Sequence, residues 1–207
     1  MSPIDSGEYK SKIGLDSIYI AEIVADELTG YAAEAPEYFA PAVEASQEPV
    51  VNTETQYADD GPFDVFTSEG ETAIAIQVTN LPLSIQARVT GATFDTASGR
   101  VFETSAVPPY FALGFRSLKS NGSYRYYWFL KGRFDKPSEN AVTRGETPDP
   151  QVLEMTYRAI QTQYAFDVGD VDAQVKRVVG DEDTDNFSAT GWFDAVQTPE
   201  GAAPSSI

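Results

Sequence analysis

The stretch YFALGFRSLKSNGSYRYYWFLKGRF, at Tyr110–Phe134, decides the fold because two β-rich runs flank an Asn-Gly pair. Asn121-Gly122 in such a gap favours a two-residue type I′ turn, which requires positive φ at both central residues. The sequence therefore predicts a β-hairpin over this stretch.

The turn also predicts which side chains share a face of the hairpin. With a two-residue loop, Phe115 lies opposite Trp128, and side chains alternate between the two faces from there. One face then collects seven residues: Phe111, Leu113, Phe115, Tyr124, Tyr126, Trp128 and Leu130. The other face carries Tyr127 and Phe129 in its middle. We therefore expect cover on both faces, supplied by this chain or by a neighbouring copy.

Upstream of the hairpin, the period of the apolar residues changes once. Gly70–Thr79 alternates with period two, as expected for a strand buried on one face. Leu81, Ile85 and Val89 then recur four residues apart, and a glycine follows. A proline in the first turn and a glycine after the last are typical of a helix. The pattern predicts one short helix over Pro82–Thr90.

The rest of the chain completes a mainly β fold. Further strands are predicted near residues 15–24, 42–51, 101–104, 151–166 and 173–179. The fold class is a β-sandwich or barrel-like domain of about eight strands flanked by one short α-helix, with an N-terminal arm and long loops.

Three units are predicted along the chain. Residues 1–14 form an arm, residues 15–186 form the β domain, and residues 187–207 form a C-terminal extension that is flexible at its end. The proline-containing segment 135–150 is long for a loop, which favours a role in function.

Composition excludes much of enzymology. The 207 residues include no cysteine and no histidine. The chain therefore lacks disulfides, thiolate metal sites, the commonest general base and the usual catalytic triads. We predict that the protein is not an enzyme and has no cofactor and no metal.

Nothing in the sequence indicates a membrane. The N-terminus lacks the basic and apolar regions of a secretory signal, and no run reaches the roughly 20 apolar residues of a spanning helix. We expect a soluble protein made in a cytoplasm.

The net charge is −18, from 32 acidic and 14 basic residues. DNA-binding domains carry the opposite sign, because phosphate contacts use Lys and Arg. Solubility alone explains an acidic chain.

Two acidic motifs resemble functional sites. Asp181–Asn186 has the alternating carboxylates of a calcium loop, but it lacks the glycine at position six and the glutamate at position twelve. We interpret it as a solvated turn.

Asp59 and Asp60 are adjacent, so on a strand their side chains point to opposite faces. They therefore do not converge on one substrate bond, as a pair of catalytic carboxylates would. With Gly61 and Pro62 following, they predict a tight turn.

Three blocks, in this order, resemble the phi13-type major tail proteins of long-tailed, siphovirus-like bacteriophages. They are YADDGP at Tyr57–Pro62, GETAIAIQVTNLPLSIQARVTGATFD at Gly70–Asp95 and ALGFRSLKSNGSYRYYWFLKGRFDKPSE at Ala112–Glu139. The resemblance covers roughly Tyr9–Asn186.

The resemblance implies a structural virion protein, the major tail tube subunit. Such a subunit self-assembles into stacked hexameric rings, which form the conduit for phage DNA. The implied partners are further copies of the chain and the tape-measure, tail terminator and baseplate proteins. DNA passes the lumen without specific binding, and carboxylates on the lumen would repel its phosphates. The implied location is the virion tail, assembled in the host cytoplasm.

Rings need surfaces that contact the next subunit. The candidates for these contacts are Asp59, Asp60, Pro62, Arg116, Arg125, Tyr127, Phe129, Arg133, Pro137, Arg144 and Pro148. Arginines on the hairpin would pair with acidic residues of a neighbour, and its aromatics suit an interface.

Two alternatives remain open from the sequence. A β-sandwich carbohydrate-binding module would present Tyr127 and Phe129 in a groove as a stacking platform. A tail terminator or head–tail connector would share the architecture of a tube subunit.

Overall fold

The computed structural model describes residues 10–58, 61–138, 152–169 and 171–205. In these residues the chain is mainly β with one helix, as predicted, and the sheets close no barrel. The strands, β1 to β15 in chain order, are Lys12–Glu27, Gly30–Ala33, Glu37–Ala40, Ala42–Ala58, Gly61–Val78, Thr93–Asp95, Arg100–Phe102, Phe111–Lys119, Tyr124–Phe134, Leu153–Ala159, Ala165–Asp167, Asp172–Gln174, Arg177–Asp181, Gln197–Thr198 and Gly201–Ala202.

Nine of these strands form one sheet, and the other six form three small hairpins. The order along the main sheet is β2-β1-β8-β9-β10-β5-β4, with β3 also paired to β1 and β13 also paired to β9. All pairings are antiparallel. The 17-residue strand β4 lies at one end of this order.

The predicted hairpin is β8–β9, but its turn differs from the prediction. Lys119 donates its backbone N–H to the Ser123 carbonyl, so three residues form the loop instead of two. Gly122 has φ of 88°, whereas no positive φ occurs at Asn121. A three-residue loop ending in a left-handed glycine is the next commonest hairpin connection.

The longer loop shifts the register by one residue. Phe115 therefore lies opposite Tyr127, and Trp128 lies opposite Gly114. A one-residue slip exchanges the faces of a whole strand, because side chains alternate. The predicted face that joined Phe115 to Trp128 is consequently wrong.

Both faces of the hairpin are buried, as expected, and this chain supplies both covers. One core contains Leu113, Phe115, Tyr127 and Phe129 together with residues of β1, β5, β10 and the helix. The second core contains Tyr126, Trp128 and Leu130, covered by Phe166, Trp192, Val196 and Ala203.

The helix α1 spans Leu83–Thr90, which confirms the prediction within one residue. Pro82 is its N-cap, and Gly91 ends it in a left-handed conformation with φ of 73°. Asn80 accepts the Leu81 N–H, outside the helix. The buried Val89 and the partly buried Ile85 hold α1 against the first core.

The described part of the C-terminal extension packs on the second core. Its flexible end stays a prediction. The ring of Phe193 stacks on Tyr19 with centroids 4.6 Å apart. The short strands β14 and β15 pair, and Ala203 after them is buried. Aromatic side chains at the start of the extension thus provide the cover that the hairpin requires.

Candidate assembly surfaces

The first candidate surface is the free edge of β4. β4 pairs with β5 on one side over its whole length, and no described strand pairs with its other side. Pro49 lies within this strand, which fits an edge position because proline has no N–H to donate. A long unpaired edge is a template for a strand from another chain.

The second candidate surface is the solvent-facing side of β4, β5 and β10, here called the acidic face. Its residues lie in register, as in the rows Glu44–Gln77–Glu154 and Glu48–Ala73–Arg158. The full set is Glu44, Ser46, Glu48, Glu71, Ala73, Ala75, Gln77, Glu154, Thr156 and Arg158. The acidic face thus carries four carboxylates and one cation, and its other side chains are small or neutral.

Ion pairs within the chain neutralise the one cation of the acidic face. The Arg158 guanidinium donates to Asp135 over 2.8 Å and is ion-paired with Glu71. Hydrogen bonds to these two carboxylates raise the pKa of Arg158. The surface that remains is negative, which disfavours the approach of a phosphate.

The third candidate surface is the outer part of the β4–β5 hairpin, here called the outer ribbon: Val51–Ala58 paired with Gly61–Glu69. It extends past the last pair between β10 and β5, Ala159 with Thr72, and beyond that pair β5 is hydrogen-bonded to no described strand except β4. At the base of the ribbon, Glu69 is ion-paired with Lys176. The sequence indicated a polar segment with a turn here, whereas the structure has two long strands.

Two of the hairpin arginines, Arg116 and Arg125, are ion-paired within the chain, and Arg133 contacts an aromatic ring. Arg116 donates to Asp16 on β1 and lies 4.3 Å from the centroid of the Tyr124 ring. Arg125 donates to Asp181 over 2.6 Å. The guanidinium of Arg133 lies 3.8 Å from the Tyr110 ring centroid. Their predicted contacts with a neighbour stay untested.

Tyr127 and Phe129 are core residues. Only 3% of Tyr127 and 0% of Phe129 is exposed. The register slip places both on the first core, so neither is available to a neighbouring subunit or to a sugar. The stacking platform that the carbohydrate-binding alternative needs is therefore missing at these positions.

The acidic run after β13 forms an ion-paired clasp on the hairpin turn. The ammonium of the buried Lys119 contacts both Asp181 and Asp183, and Asn121 donates to Asp183 over 2.9 Å. Burial opposes the ionisation of Asp181, but hydrogen bonds from Lys119, the Asp183 amide and Arg125 outweigh it and lower its pKa to about 2. The run is thus a structural contact rather than the solvated turn that we predicted.

Several predicted residues lie elsewhere. Pro137 lines a groove beside α1, and Pro62 pairs with Tyr57 through the backbone. The remaining candidates, Asp59, Asp60, Arg144 and Pro148, lie outside the described residues.

Neither a membrane-spanning helix nor a metal-binding cluster occurs in the described part of the chain. No helix there is long and apolar enough to cross a membrane. No group of three or more side chains there is suited to hold a metal ion.

Sequence reasoning missed the acidic face and the outer ribbon. A signal was present, because no Lys or Arg occurs between Lys12 and Arg88, whereas carboxylates recur through β4 and β5. Which of them share a face depends on the pairing of three strands, and that pairing was not predicted.

Comparison with known proteins adds an independent finding. A family model described as phage tail tube protein matches residues 51–198, from the outer ribbon to β14. A search of curated proteins found no match to the chain.

Proposed function

Because the chain belongs to the phage tail tube protein family, we propose that it is the major tail tube subunit of a long-tailed phage and self-assembles into stacked hexameric rings. The tube is the conduit through which phage DNA leaves the virion. The subunit acts by assembly and not by catalysis.

The observation that carries this proposal is the free edge of β4 at one end of the main sheet. At the opposite end, β2 is also an edge strand. When β4 of one copy pairs with the edge strand at the β2 end of the next copy, the main sheet continues from subunit to subunit. Such a contact is heterologous, and repeated around one axis it closes a ring without exposed edges.

The acidic face supports the conduit role. The acidic face is the solvent-facing side of strands in the sheet that would continue from subunit to subunit. In a ring, the acidic faces of successive subunits would therefore form one continuous surface. We propose that this surface lines the lumen. Carboxylates there repel the DNA backbone, which must slide through without binding.

The location and partners follow from the same proposal. The protein is assembled in the host cytoplasm and resides in the virion tail. The ends of a tube require a baseplate and a tail terminator, and the lumen holds a tape-measure protein before DNA enters.

Negative-stain electron microscopy of the purified chain at high concentration tests the proposal, with mass photometry at low concentration. Hollow tubes, or rings with a six-fold end view, are expected. Monomers at every concentration, together with failure to extend tubes from purified tail fragments, would contradict it.

A further inference from the structure

The main sheet forks at the base of the outer ribbon. Because β8 occupies one side of β9, the strands β10 and β13 both pair with its other side and lie end to end along it. β5 pairs with β10 as far as Thr72, and beyond that residue it is hydrogen-bonded to no described strand except β4. One branch of the fork therefore follows β9 as β13, and the other branch leaves as the outer ribbon.

The outer ribbon leaves the sheet at a β-bulge. The register of the β4–β5 ladder shifts between Pro49 and Val51, so Val50 alone lies opposite two residues of β5, Gly70 and Glu71. A bulge interrupts the ladder and bends the strand that carries it, and glycine in a strand often marks such a site. The ladder is therefore weakest at this point, where the ribbon joins the sheet.

The side chain of Lys176 spans the fork. Lys176 directly precedes β13, and its carbonyl accepts the N–H of Leu130 on β9, so its backbone belongs to the β13 branch. Its ammonium donates to the Glu69 carboxylate and the Gly70 carbonyl, each over 2.7 Å, and to the Thr72 hydroxyl over 3.3 Å. One cation thus binds the residues on either side of the bulge.

Burial makes these contacts of Lys176 hard to replace. Only 8% of the residue is exposed, and a buried ammonium is costly unless acceptors surround it. An ammonium has three protons to donate, and the three acceptors on β5 use all of them. The ammonium therefore stays satisfied only while the base of the ribbon lies in this position.

The rest of the fork is a polar cleft. Its volume is about 520 Å³, and its lining includes Gln47, Gln161, Gln174 and Arg177. The Arg177 guanidinium reaches the Gln47 side chain over 3.5 Å, a length at which a hydrogen bond is weak. An apolar core would hold the two branches together, whereas an open cleft lined by polar groups offers little resistance to a change in the ribbon angle.

We propose that the bulge at Val50 and Gly70 is a hinge, and that the Lys176 ammonium locks the outer ribbon at one angle to the main sheet. Lys176 is a positioning residue: without its ammonium, the ribbon moves about the bulge while the sheet keeps its structure. The angle decides where the exposed side chains of Phe63 and Val65 lie relative to the acidic face. The lock belongs to the single chain, so this inference does not depend on the proposed function.

Distances between pairs of nitroxide spin labels measure the ribbon angle, and labels go only to chosen sites because the chain has no cysteine. The first pair, Val65→Cys with Val179→Cys, joins the ribbon to β13. The second pair, Val152→Cys with Val179→Cys, lies along β10 and β13 and does not cross the hinge. All three positions are exposed. Dilution with a large excess of unlabelled chain restricts the measurement to distances within one molecule, whether or not the chains assemble.

Lys176→Met should broaden the distance distribution of the first pair and leave that of the second pair unchanged. Lys136→Met is the matched control, because it removes an exposed ammonium that is ion-paired with Glu103 beside α1. Both distributions should stay narrow in this control. Glu69→Gln weakens the lock at an exposed position and should broaden the first distribution less than Lys176→Met does.

Two outcomes would overturn the lock. One is a distribution for the first pair that Lys176→Met leaves unchanged. The other is broadening of both pairs, because Lys176 would then hold the whole sheet and not the ribbon alone. If Lys176→Met does not fold, Glu69→Gln decides: broadening of the first pair alone supports the lock, and no change overturns it. None of these outcomes bears on whether the chain forms tubes.

Discussion

The indole ring of Trp128 lies against the backbone of Gly114, the residue directly opposite it on the neighbouring strand. A Cβ atom built on Gly114 would be 2.8 Å from three carbons of the ring. A side chain at this position is therefore excluded, and Trp128 fills the space that the glycine leaves. This contact exists only in the observed register of the hairpin.

Gly114→Ala should destabilise the protein by about 1–3 kcal/mol, because the added methyl group overpacks a core that has no room for it. Urea denaturation followed by Trp fluorescence measures the loss. Gly30→Ala is the matched control, since a Cβ there meets no atom within 4 Å. Equal losses for the two variants would contradict the packing at Trp128.

The buried ion pair between Lys131 and Asp26 should be sensitive to the loss of either partner. The two side chains are 6% and 5% exposed, and Asp26 also accepts backbone N–H groups of Gln163 and Tyr164. Lys131→Met should lower the free energy of unfolding by about 3–5 kcal/mol, because Asp26 is left buried without its counter-charge.

A double-mutant cycle separates the pair from its surroundings. Lys131→Met with Asp26→Leu should cost less than the sum of the single variants, since no charge then remains buried. Additive losses would show that the two side chains do not interact.

The clasp at Asp181 should make stability depend on pH in the acid range. The folded-state pKa of Asp181 is about 2, below the ordinary aspartate value of 3.8. A carboxylate with a lowered pKa stabilises the folded state at pH values above its pKa in the unfolded chain. This contribution to stability is lost as the pH falls from about 4 to 2.

Asp181→Asn should flatten that acid dependence and lower the free energy of unfolding near neutral pH by about 1.5–3 kcal/mol, the range for hydrogen bonds to charged groups. Denaturation at a series of pH values measures both effects. Asp185→Asn, exposed on the same turn, is the control and should keep the wild-type profile.

Reversing charge on the acidic face should make assembled tubes bind DNA. Glu48→Lys with Glu154→Lys adds cations to the proposed lumen, and the resulting affinity should fall about tenfold or more between roughly 50 and 200 mM salt. Co-sedimentation of short DNA with tubes measures binding.

Asp172→Lys with Asp185→Lys changes the net charge equally at exposed positions outside this face. Tubes of this control variant should bind DNA no better than wild-type tubes. Equal binding by the two variants would remove the assignment of the acidic face to the lumen.

Local sequence signals predicted what depends on neighbours along the chain. The helix at Leu83–Thr90 follows from four-residue periodicity with proline before it and glycine after it. The β8–β9 hairpin follows from Asn121-Gly122, and the burial of both its faces follows from its aromatic content. Composition alone excludes disulfides, thiolate metal sites and catalytic triads that use histidine, because the chain has no histidine and no cysteine.

Tertiary structure alone decided the register, the partners of the charged residues and the assembly surfaces. A two-residue and a three-residue turn suit the same Asn-Gly pair, and the tertiary contacts of the hairpin, such as Trp128 over Gly114 and Asn121 with Asp183, occur with the three-residue turn. The slip moved Tyr127 and Phe129 from a proposed interface to the core. The acidic face and the outer ribbon arise from strand pairs distant in sequence, and single-chain periodicity carries no information about which strands pair.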